Sequence, residues 1–350
     1  MSKVRRFGAF VILTLVLDIL LVVFVAVAFR YWPQLLIDIR YSIFARSISD
    51  AESLRQPLDQ MVAAGFLTDS AARRQEWRDR LAAALPEFAA LPPEFASWPN
   101  VRKAQHLARL FSRDGCDATF DQTTTLLEKM QRIREPMGLC SDHVEVFLAL
   151  CNIHDVPAAE VSITNHTVAR VWSRSQQQWV YIDPQYCLMA RGADGRYLSV
   201  LQMREQMYRG QTVQYEFFGN SSQKFAAADP RQFAYYDRPD DFSDIVLTFG
   251  NNVLEIDRYR QDLLWLPKPV RQMFYWAIGV MPGYQMILDD RSVYAWRIER
   301  VRLGTYTVAT IVGVQNAATP FAIAAYLLRK RRLKAQSAPA RVPPALTPQV

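Results

Sequence analysis

Cys140, His166 and Asp183 are the residues of this chain whose types and order suit a nucleophile, a base and an acid. Cys140 follows Gly138-Leu139 and opens a predicted helix. Unpaired N–H groups and the positive end of the helix dipole favour a thiolate at that position. A cysteine nucleophile also needs a base to activate it and a third group to orient the base. We therefore expect the base and the acid downstream of this helix.

The base and the acid are expected on one β-hairpin. His166 begins the predicted strand 166–172, and Asp183 ends the predicted strand 179–183. A turn centred between residues 174 and 175 pairs the two residues directly, and a turn centred between 175 and 176 makes them diagonal neighbours. Because side chains alternate along a strand, both registers put them on one face of the sheet. Local geometry thus predicts the His–Asp pair, but it does not dock the Cys140 helix beside it.

The same residues carry a family resemblance. The run from Gly138 to Tyr186 resembles the core of the transglutaminase-like superfamily, which has a papain-like fold. It shows Gly-x-Cys at the start of a helix, His166 on the following strands, and Trp-x-x-x-Asp-Pro ending at Pro184. The resemblance covers about 101–189 and implies that Cys140 is the nucleophile, His166 the base and Asp183 the orienting acid, with no cofactor. It also implies an oxyanion donor upstream of Cys140, for which Trp98, Gln122 and Gln131 are the candidates.

A zinc site is the competing interpretation of this segment. Cys140-x-x-His143 and Cys151-x-x-His154 imitate the spacing of four zinc ligands. On one helix, however, Cys140 and His154 are about 21 Å apart at about 1.5 Å per residue. One ion does not bridge that distance, so the zinc hypothesis requires that 140–151 is not a helix. We predict a helix and no metal.

The charge distribution argues against nucleic-acid binding. The chain of 350 residues has a net charge of +7, but its basic excess lies in two flanks. Without Lys3, Arg5 and Arg6 and the six basic residues of 329–341, 32 basic residues remain against 34 acidic ones. Nucleic-acid binding needs a basic face on the folded domain, so we expect no nucleic-acid partner.

Two apolar runs predict membrane helices. The run 7–29 carries one charge, Asp18, and the run 304–328 carries none. Each is long enough for a hydrocarbon core of about 30 Å, and basic residues outside both runs place both ends in the cytoplasm. A cleaved signal peptide is the alternative for 7–29. These patterns predict an inner-membrane protein whose middle is extracytoplasmic, and polar Asp18, Gln315 and Asn316 suggest a membrane-protein partner.

The predicted fold is therefore α+β, a papain-like or transglutaminase-like core with an N-terminal helical region, flanked by two transmembrane helices. Its expected parts are a cytoplasmic N-terminus 1–6, a span 7–29, a helical region 30–100, the core 101–190, an α+β extension 191–303 with a core or interfacial segment 273–288, a span 304–328 and a basic cytoplasmic tail 329–350.

Two functions of different classes follow. The first is a cysteine enzyme that cleaves or transfers an acyl group of a cell-envelope peptide, protein or glycan, with Cys140, His166 and Asp183 as a triad. The second is a non-catalytic scaffold of the same fold that is held in the lipid bilayer by its spans and contacts partners in an envelope or polysaccharide assembly.

Overall fold

A computed structural model describes residues 66–111, 120–121, 123–133, 135, 138–164, 166–219, 242–266, 268–288 and 295–336, with a few isolated positions before residue 66. The chain divides into two compact units. One unit spans 40–298 and contains the sheet, and the other combines 1–39 with 299–350. Each unit is described here by itself.

The sheet unit is α+β with a mixed sheet. Its strands are β1 Leu67–Thr68, β2 Ala158–Ile163, β3 His166–Ser173, β4 Gln178–Asp183, β5 Leu188–Arg191, β6 Gln214–Phe217, β7 Asp244–Asn251 and β8 Gly283–Leu288. Their order is β1-β7-β2-β3-β4-β5-β6, and β8 also pairs with β7. β1 runs parallel to β7, while the other pairs are antiparallel.

The helices of the described residues lie before, between and after these strands. They are α1 Ala71–Ala84, α2 Pro86–Ala89, α3 Asn100–Arg109, α4 Leu126–Arg132, α5 Cys140–Ile153, α6 Val200–Tyr208, α7 Val253–Asp262, α8 Lys268–Ala277 and α9 Ala295–Gln336. The predicted helix 140–151 and the strands 166–172 and 179–183 are confirmed within two residues at each end.

Helix α5 forms the centre of the main core. It is apolar on most of its surface, and Val144, Phe147 and Cys151 are fully or almost fully buried. These side chains pack with Ala169 and Val171 of β3 on one face of the sheet. A helix that is apolar nearly all round gains stability by being covered on all sides, and α1, α3, α4 and α7 contact α5 in this way.

Helix α1 illustrates how local and distant caps position the core. The Ser70 hydroxyl accepts from the backbone N–H of Arg73 and so caps the start of α1. Asp69 instead reaches a different helix, because its carboxylate accepts from the N–H groups of Leu254 and Glu255 at the start of α7. The side chain of Asn152 also donates to Asp69. This contact ties α5, α7 and the start of α1 together.

The prediction of transmembrane helices requires correction. Within the described part of the chain, no helix has both the length and the apolar character needed to cross a membrane. The run 304–328 lies inside α9, where Gln315, Asn316 and Pro320 interrupt the apolar sequence. Most of the run 7–29 lies outside the described residues. The prediction of two flanking membrane spans is therefore wrong, and so is the predicted inner-membrane localisation, which depended on those spans.

The segment 273–288 is divided between two elements of the sheet unit. Residues 273–277 complete α8, and residues 283–288 form β8 at the side of β7. The tail 329–350 is described only to residue 336, where α9 ends.

Candidate active site

The N-terminus of α5 is shaped by a glycine turn. Gly138 has a φ of +97°, a backbone conformation that favours glycine. A Cβ on Gly138 would lie 3.0 Å from both Ile133 and Phe120, so the turn is also closely packed. Leu139 follows as the N-cap, and Cys140 is the first residue of the helix. Its N–H has no acceptor within the helix, because the first four N–H groups of any helix lack one.

The acid at the third position of α5 accepts a hydrogen bond across this turn and forms an ion pair with a lysine of α4. Asp142 Oδ2 accepts from the Leu139 N–H at 2.9 Å, and Asp142 Oδ1 accepts from Lys129 Nζ at 2.6 Å. Lys129 Nζ also donates to Glu145 at 2.7 Å, and Glu145 accepts from Arg260 of α7. These ion pairs hold α4 and α7 against α5. They also leave little uncompensated negative charge to oppose a thiolate at Cys140.

The His–Asp pair forms at the ends of β3 and β4. His166 Nε2 lies 2.7 Å from Asp183 Oδ2, and both side chains are almost completely buried. Asp183 Oδ1 accepts from the backbone N–H groups of Gln185 at 2.9 Å and Tyr186 at 3.2 Å. The Tyr186 ring packs beside the imidazole at 5.8 Å between centroids. Both carboxylate oxygens are therefore occupied, and the acid holds the imidazole by its Nε2 side.

The register explains the pairing. Ala169 faces Ile182 and Ser173 faces Gln178, so the turn is centred between residues 175 and 176. His166 and Asp183 are consequently diagonal neighbours, the second of the two predicted registers. Gln177 at the turn adopts a φ of +51°, and the Ser173 hydroxyl accepts from the Gln176 N–H.

The structure brings the thiol of Cys140 to this pair. Its side chain lies beside His166 and Thr167, and interactions with both residues lower the pKa of the thiol. Because Nε2 of His166 is held by Asp183, Nδ1 is the ring nitrogen left to act on the thiol. Cys140 is partly exposed, whereas His166 is 3% exposed and Asp183 is fully buried. The residue with the thiol is therefore the most exposed of the three.

These contacts perturb both titrating groups. Burial by itself raises the pKa of Cys140, but the hydrogen bonds and the charge of His166, together with Thr167, lower the pKa below the ordinary value. Burial by itself lowers the pKa of His166, but Asp183 and Cys140 raise this pKa to about 9. Both shifts favour the thiolate–imidazolium pair at neutral pH.

Thr167 is the site residue that sequence reasoning did not find. It follows His166 directly, and side chains alternate along a strand, so it was expected to face away from the pair. Because α5 begins beside the first residues of β3, both His166 and Thr167 reach the sulfur. The signal in the sequence was only the position of a hydroxyl residue next to the predicted base.

A cavity lies beside the start of α5. Leu139, Ser141 and Asp142, which flank the thiol in sequence, contribute to its lining, and its volume is about 460 Å³. That volume lies in the range of small-ligand sites. It extends along α5 past Glu145 to Leu148, toward β7, α7 and α8. Cys140 itself is not part of the lining, so the cavity adjoins the residues on either side of the thiol.

The three predicted oxyanion donors differ in their surroundings. Gln122 lies outside the described residues. Gln131 is exposed on α4. Trp98 packs against Phe95 and His106 in an aromatic cluster. The donors that the geometry supplies are the N–H groups of Cys140 and Ser141 at the start of α5, since the next two N–H groups donate to Leu139 O.

The other cysteines and histidines lie away from this contact network. Cys151 is buried, and burial raises its pKa well above the ordinary value. Cys187 is fully buried. His143 is 2% exposed and packs near Phe111. His154 contacts Phe95, and burial lowers its pKa to about 4.

The zinc hypothesis loses its premise, since Cys140 to Ile153 is one continuous helix. Among the described residues, no cluster of His, Cys, Asp and Glu has the geometry of a metal site.

Comparisons of the chain with protein-family models, with curated proteins and with solved structures find no match. The assignment of roles to Cys140, His166 and Asp183 therefore remains a prediction that depends on their geometry and on the motif resemblance.

Proposed function

We propose that this protein is a cysteine acyl-transfer enzyme that cleaves or transfers an amide or ester acyl group through a thioester on Cys140. The observation that carries the proposal is the chain of contacts from a partly exposed thiol to a buried imidazole and then to a buried carboxylate. Such a chain is the arrangement by which a base activates a nucleophile and a third group orients the base. A peptide, a protein or an amide-bearing glycan is the proposed acyl donor.

In the first step, the Cys140 thiolate attacks the carbonyl carbon and forms a C–S bond. The carbonyl oxygen becomes an oxyanion, which the N–H groups at the start of α5 can stabilise. The His166 imidazolium then gives its proton to the leaving amine or alcohol as the C–N or C–O bond breaks. A thioester and a neutral imidazole remain.

In the second step, water or an amine resolves the thioester. Neutral His166 takes a proton from the incoming nucleophile, whose oxygen or nitrogen bonds to the acyl carbon, and the C–S bond breaks. The returning thiolate and imidazolium restore the starting state. Asp183 carries no proton in either step, and its role is to keep Nε2 protonated and the ring oriented. Water gives hydrolysis and an amine gives transfer.

An activated ester tests this proposal without knowledge of the natural acyl donor. Incubation of the protein with p-nitrophenyl acetate should release a stoichiometric burst of nitrophenolate and leave an acetyl group on Cys140, identified by mass spectrometry of the peptide. Cys140→Ala should abolish the burst, and His166→Ala should slow it by at least about 100-fold, the size of a typical general-base contribution. Cys187→Ala is the matched control, because Cys187 is a fully buried cysteine with no role in the proposed triad.

The opposite result supports the non-catalytic interpretation. If the wild-type protein gives no burst, or if Cys140→Ala and His166→Ala leave the burst unchanged, then the three side chains form a buried structural contact and the acyl-transfer proposal fails.

A further inference from the structure

The cavity beside Cys140 contains buried polar atoms that lack partners among the described residues. They are Arg271 Nη1, the Tyr275 hydroxyl, and the side-chain oxygens of Asn251 and Asn252. Each of the four residues is 6% exposed or less. Buried polar groups are normally hydrogen-bonded, and leaving them unpaired has a free-energy cost. Four such atoms around one cavity indicate that a ligand completes their hydrogen bonds.

Nη1 of Arg271 is the most informative of these atoms. The other cations of the cavity are engaged by acids, since Lys129 pairs with Asp142 and Glu145, and Arg260 pairs with Glu145. Nη1 of Arg271 has no such acid in the described part of the chain, although the residue is 94% removed from solvent. A planar guanidinium matches a carboxylate through two parallel hydrogen bonds. Tyr275 lies one helical turn further along α8 and lines the same cavity, so its hydroxyl can add a third donor.

The remaining atoms favour a ligand with N–H groups as well. Asn251 and Asn252 use their amide nitrogens on Leu148 O and Val280 O, which leaves their oxygens as acceptors. The carboxylate of Glu160 also lines the cavity. Acceptors of this kind bind amide or amine N–H groups and disfavour a simple inorganic anion. A short peptide segment that ends in or contains a carboxylate supplies both kinds of group.

The position of the cavity relates this ligand to the thiol. Tyr275 lies near Arg260, which pairs with Glu145 on α5. Glu145 is five residues beyond Cys140, which corresponds to about 7.5 Å along a helix. A carboxylate at Arg271 and an acyl carbon at Cys140 would therefore belong to different residues of one short peptide.

The geometry points to a carboxylate-binding subsite in which Arg271 and Tyr275 select peptide acyl donors that carry a carboxylate on a residue near the reacting carbonyl. This inference rests on the proposed function, because it uses the thiol as the reacting atom. The carboxylate can come from a peptide C-terminus or from an acidic side chain, and the experiment separates these sources.

Thiol-directed affinity labels test the subsite. The probes are iodoacetyl-Gly-Gly with a free C-terminus, the same compound as its C-terminal amide, iodoacetyl-Glu with its α-carboxyl amidated, and iodoacetamide as the reference. The second-order rate of Cys140 labelling by each probe is divided by the rate with iodoacetamide. We expect a carboxylate probe to exceed its amide by about 10- to 100-fold, the effect of a charge-assisted hydrogen bond. A preference for the first or the third probe identifies the source of the carboxylate.

The variants are Arg271→Lys and Tyr275→Phe, with Arg209→Ala as the control on an exposed arginine of the surface. Arg271→Lys keeps a charge but loses the planar fork, so the preference should fall at least about tenfold. Tyr275→Phe should lower the preference a few fold and leave the melting temperature unchanged or higher. The loss of a hydroxyl that serves only the fold would instead lower the melting temperature. Arg209→Ala should keep the wild-type preference.

The subsite is refuted if carboxylate and amide probes label wild-type Cys140 at equal relative rates, or if Arg271→Lys and Tyr275→Phe both retain the full preference. Either result leaves the acyl-transfer proposal intact, since that proposal is tested by the nitrophenyl ester and by His166→Ala. If iodoacetamide itself labels wild type and His166→Ala equally, the proposed function fails instead.

Discussion

Asp183→Asn is the substitution that most sharply separates a working triad from a structural contact. Asp183 Oδ1 accepts two backbone N–H groups, so an asparagine oxygen is required at that position. The asparagine nitrogen must then occupy the position of Oδ2, 2.7 Å from His166 Nε2. A donor at that position opposes a proton on Nε2, and the negative charge is lost. The neutral imidazole is favoured in the variant, and the thiolate loses its counter-charge.

The size of the effect follows from the pKa of His166. Asp183 and Cys140 overcome the opposing effect of burial and raise this pKa from 6.5 to about 9, a preference for the charged ring of about 3 kcal/mol. At pH 7.5 the ring is ~97% protonated with a pKa of about 9, but only ~9% protonated with a pKa of 6.5. The imidazolium population should therefore fall at least about tenfold.

The assay is the rate of Cys140 alkylation by iodoacetamide as a function of pH. For the wild type, we expect the rate to rise at a pH below the ordinary thiol pKa, since the pKa of Cys140 is lowered by His166 and Thr167 in opposition to burial. In Asp183→Asn the rise should move to higher pH, and the rate at pH 7.5 should fall about tenfold. The matched control is Asp194→Asn, whose carboxylate accepts from Arg196 N–H at an exposed turn. Identical profiles for wild type and Asp183→Asn would refute the reasoning.

Three further variants test the surroundings of the thiol. Thr167→Val removes the hydroxyl donor to Cys140 and should reduce alkylation at neutral pH about two- to tenfold, whereas Thr167→Ser should retain the wild-type rate; equal rates for Val and Ser would contradict this role. Gly138→Ala forces a Cβ against Ile133 and Phe120 at a φ of +97°. It should lower the free energy of unfolding by about 1–3 kcal/mol and slow alkylation, whereas Gly210→Ala, at a φ of +67° in open space, should leave alkylation unchanged. Glu145→Gln tests the ion pairs. Burial opposes the ionisation of Glu145, but Arg260 and Lys129 lower its pKa to about 2. The ionised side chain therefore stabilises the fold above pH 4.5, and this stabilisation is lost as the pH falls toward 2. The variant should be about 3 kcal/mol less stable at pH 7 and lack that acid dependence in denaturant titrations, and an unchanged dependence would contradict the assignment.

The hairpin was predictable from the sequence because its determinants are local. Alternation along the strands put His166 and Asp183 on one face, and two turn positions remained open. The structure selects the later turn, in which Gln177 adopts a positive φ and Ser173 accepts from the Gln176 N–H. Side-chain bonds within a four-residue turn are too weak and too common for the sequence pattern alone to distinguish these registers.

Contacts between distant segments were not predictable in this way. The docking of α5 depends on Asp69, whose carboxylate binds both Asn152 and the first turn of α7 across more than 80 residues of sequence. The cavity beside Cys140 depends on α7 and α8, which lie more than 100 residues after the thiol. No periodic pattern encodes such pairings, because each requires only that two polar side chains meet in the folded chain.

The transmembrane prediction shows the limit of hydropathy. The run 304–328 has no charged residue, but Gln315, Asn316 and Pro320 fall within it, and the described helix that contains it lacks the apolar character of a span. Amide side chains are costly in hydrocarbon, so the absence of charged residues alone does not make an apolar run a membrane span.

The central claim is that His166 and Asp183 hold Cys140 as a thiolate, and direct titration of that thiolate tests it. The ultraviolet absorbance of the thiolate is followed with pH for the wild type and for His166→Ala, and the curve of Cys140→Ala is subtracted to remove Cys116, Cys151 and Cys187. We expect the wild-type transition at a pH below the ordinary thiol value and the His166→Ala transition above it, because burial then acts on the thiol without the imidazolium. Coincident transitions at or above the ordinary thiol pKa would contradict the account.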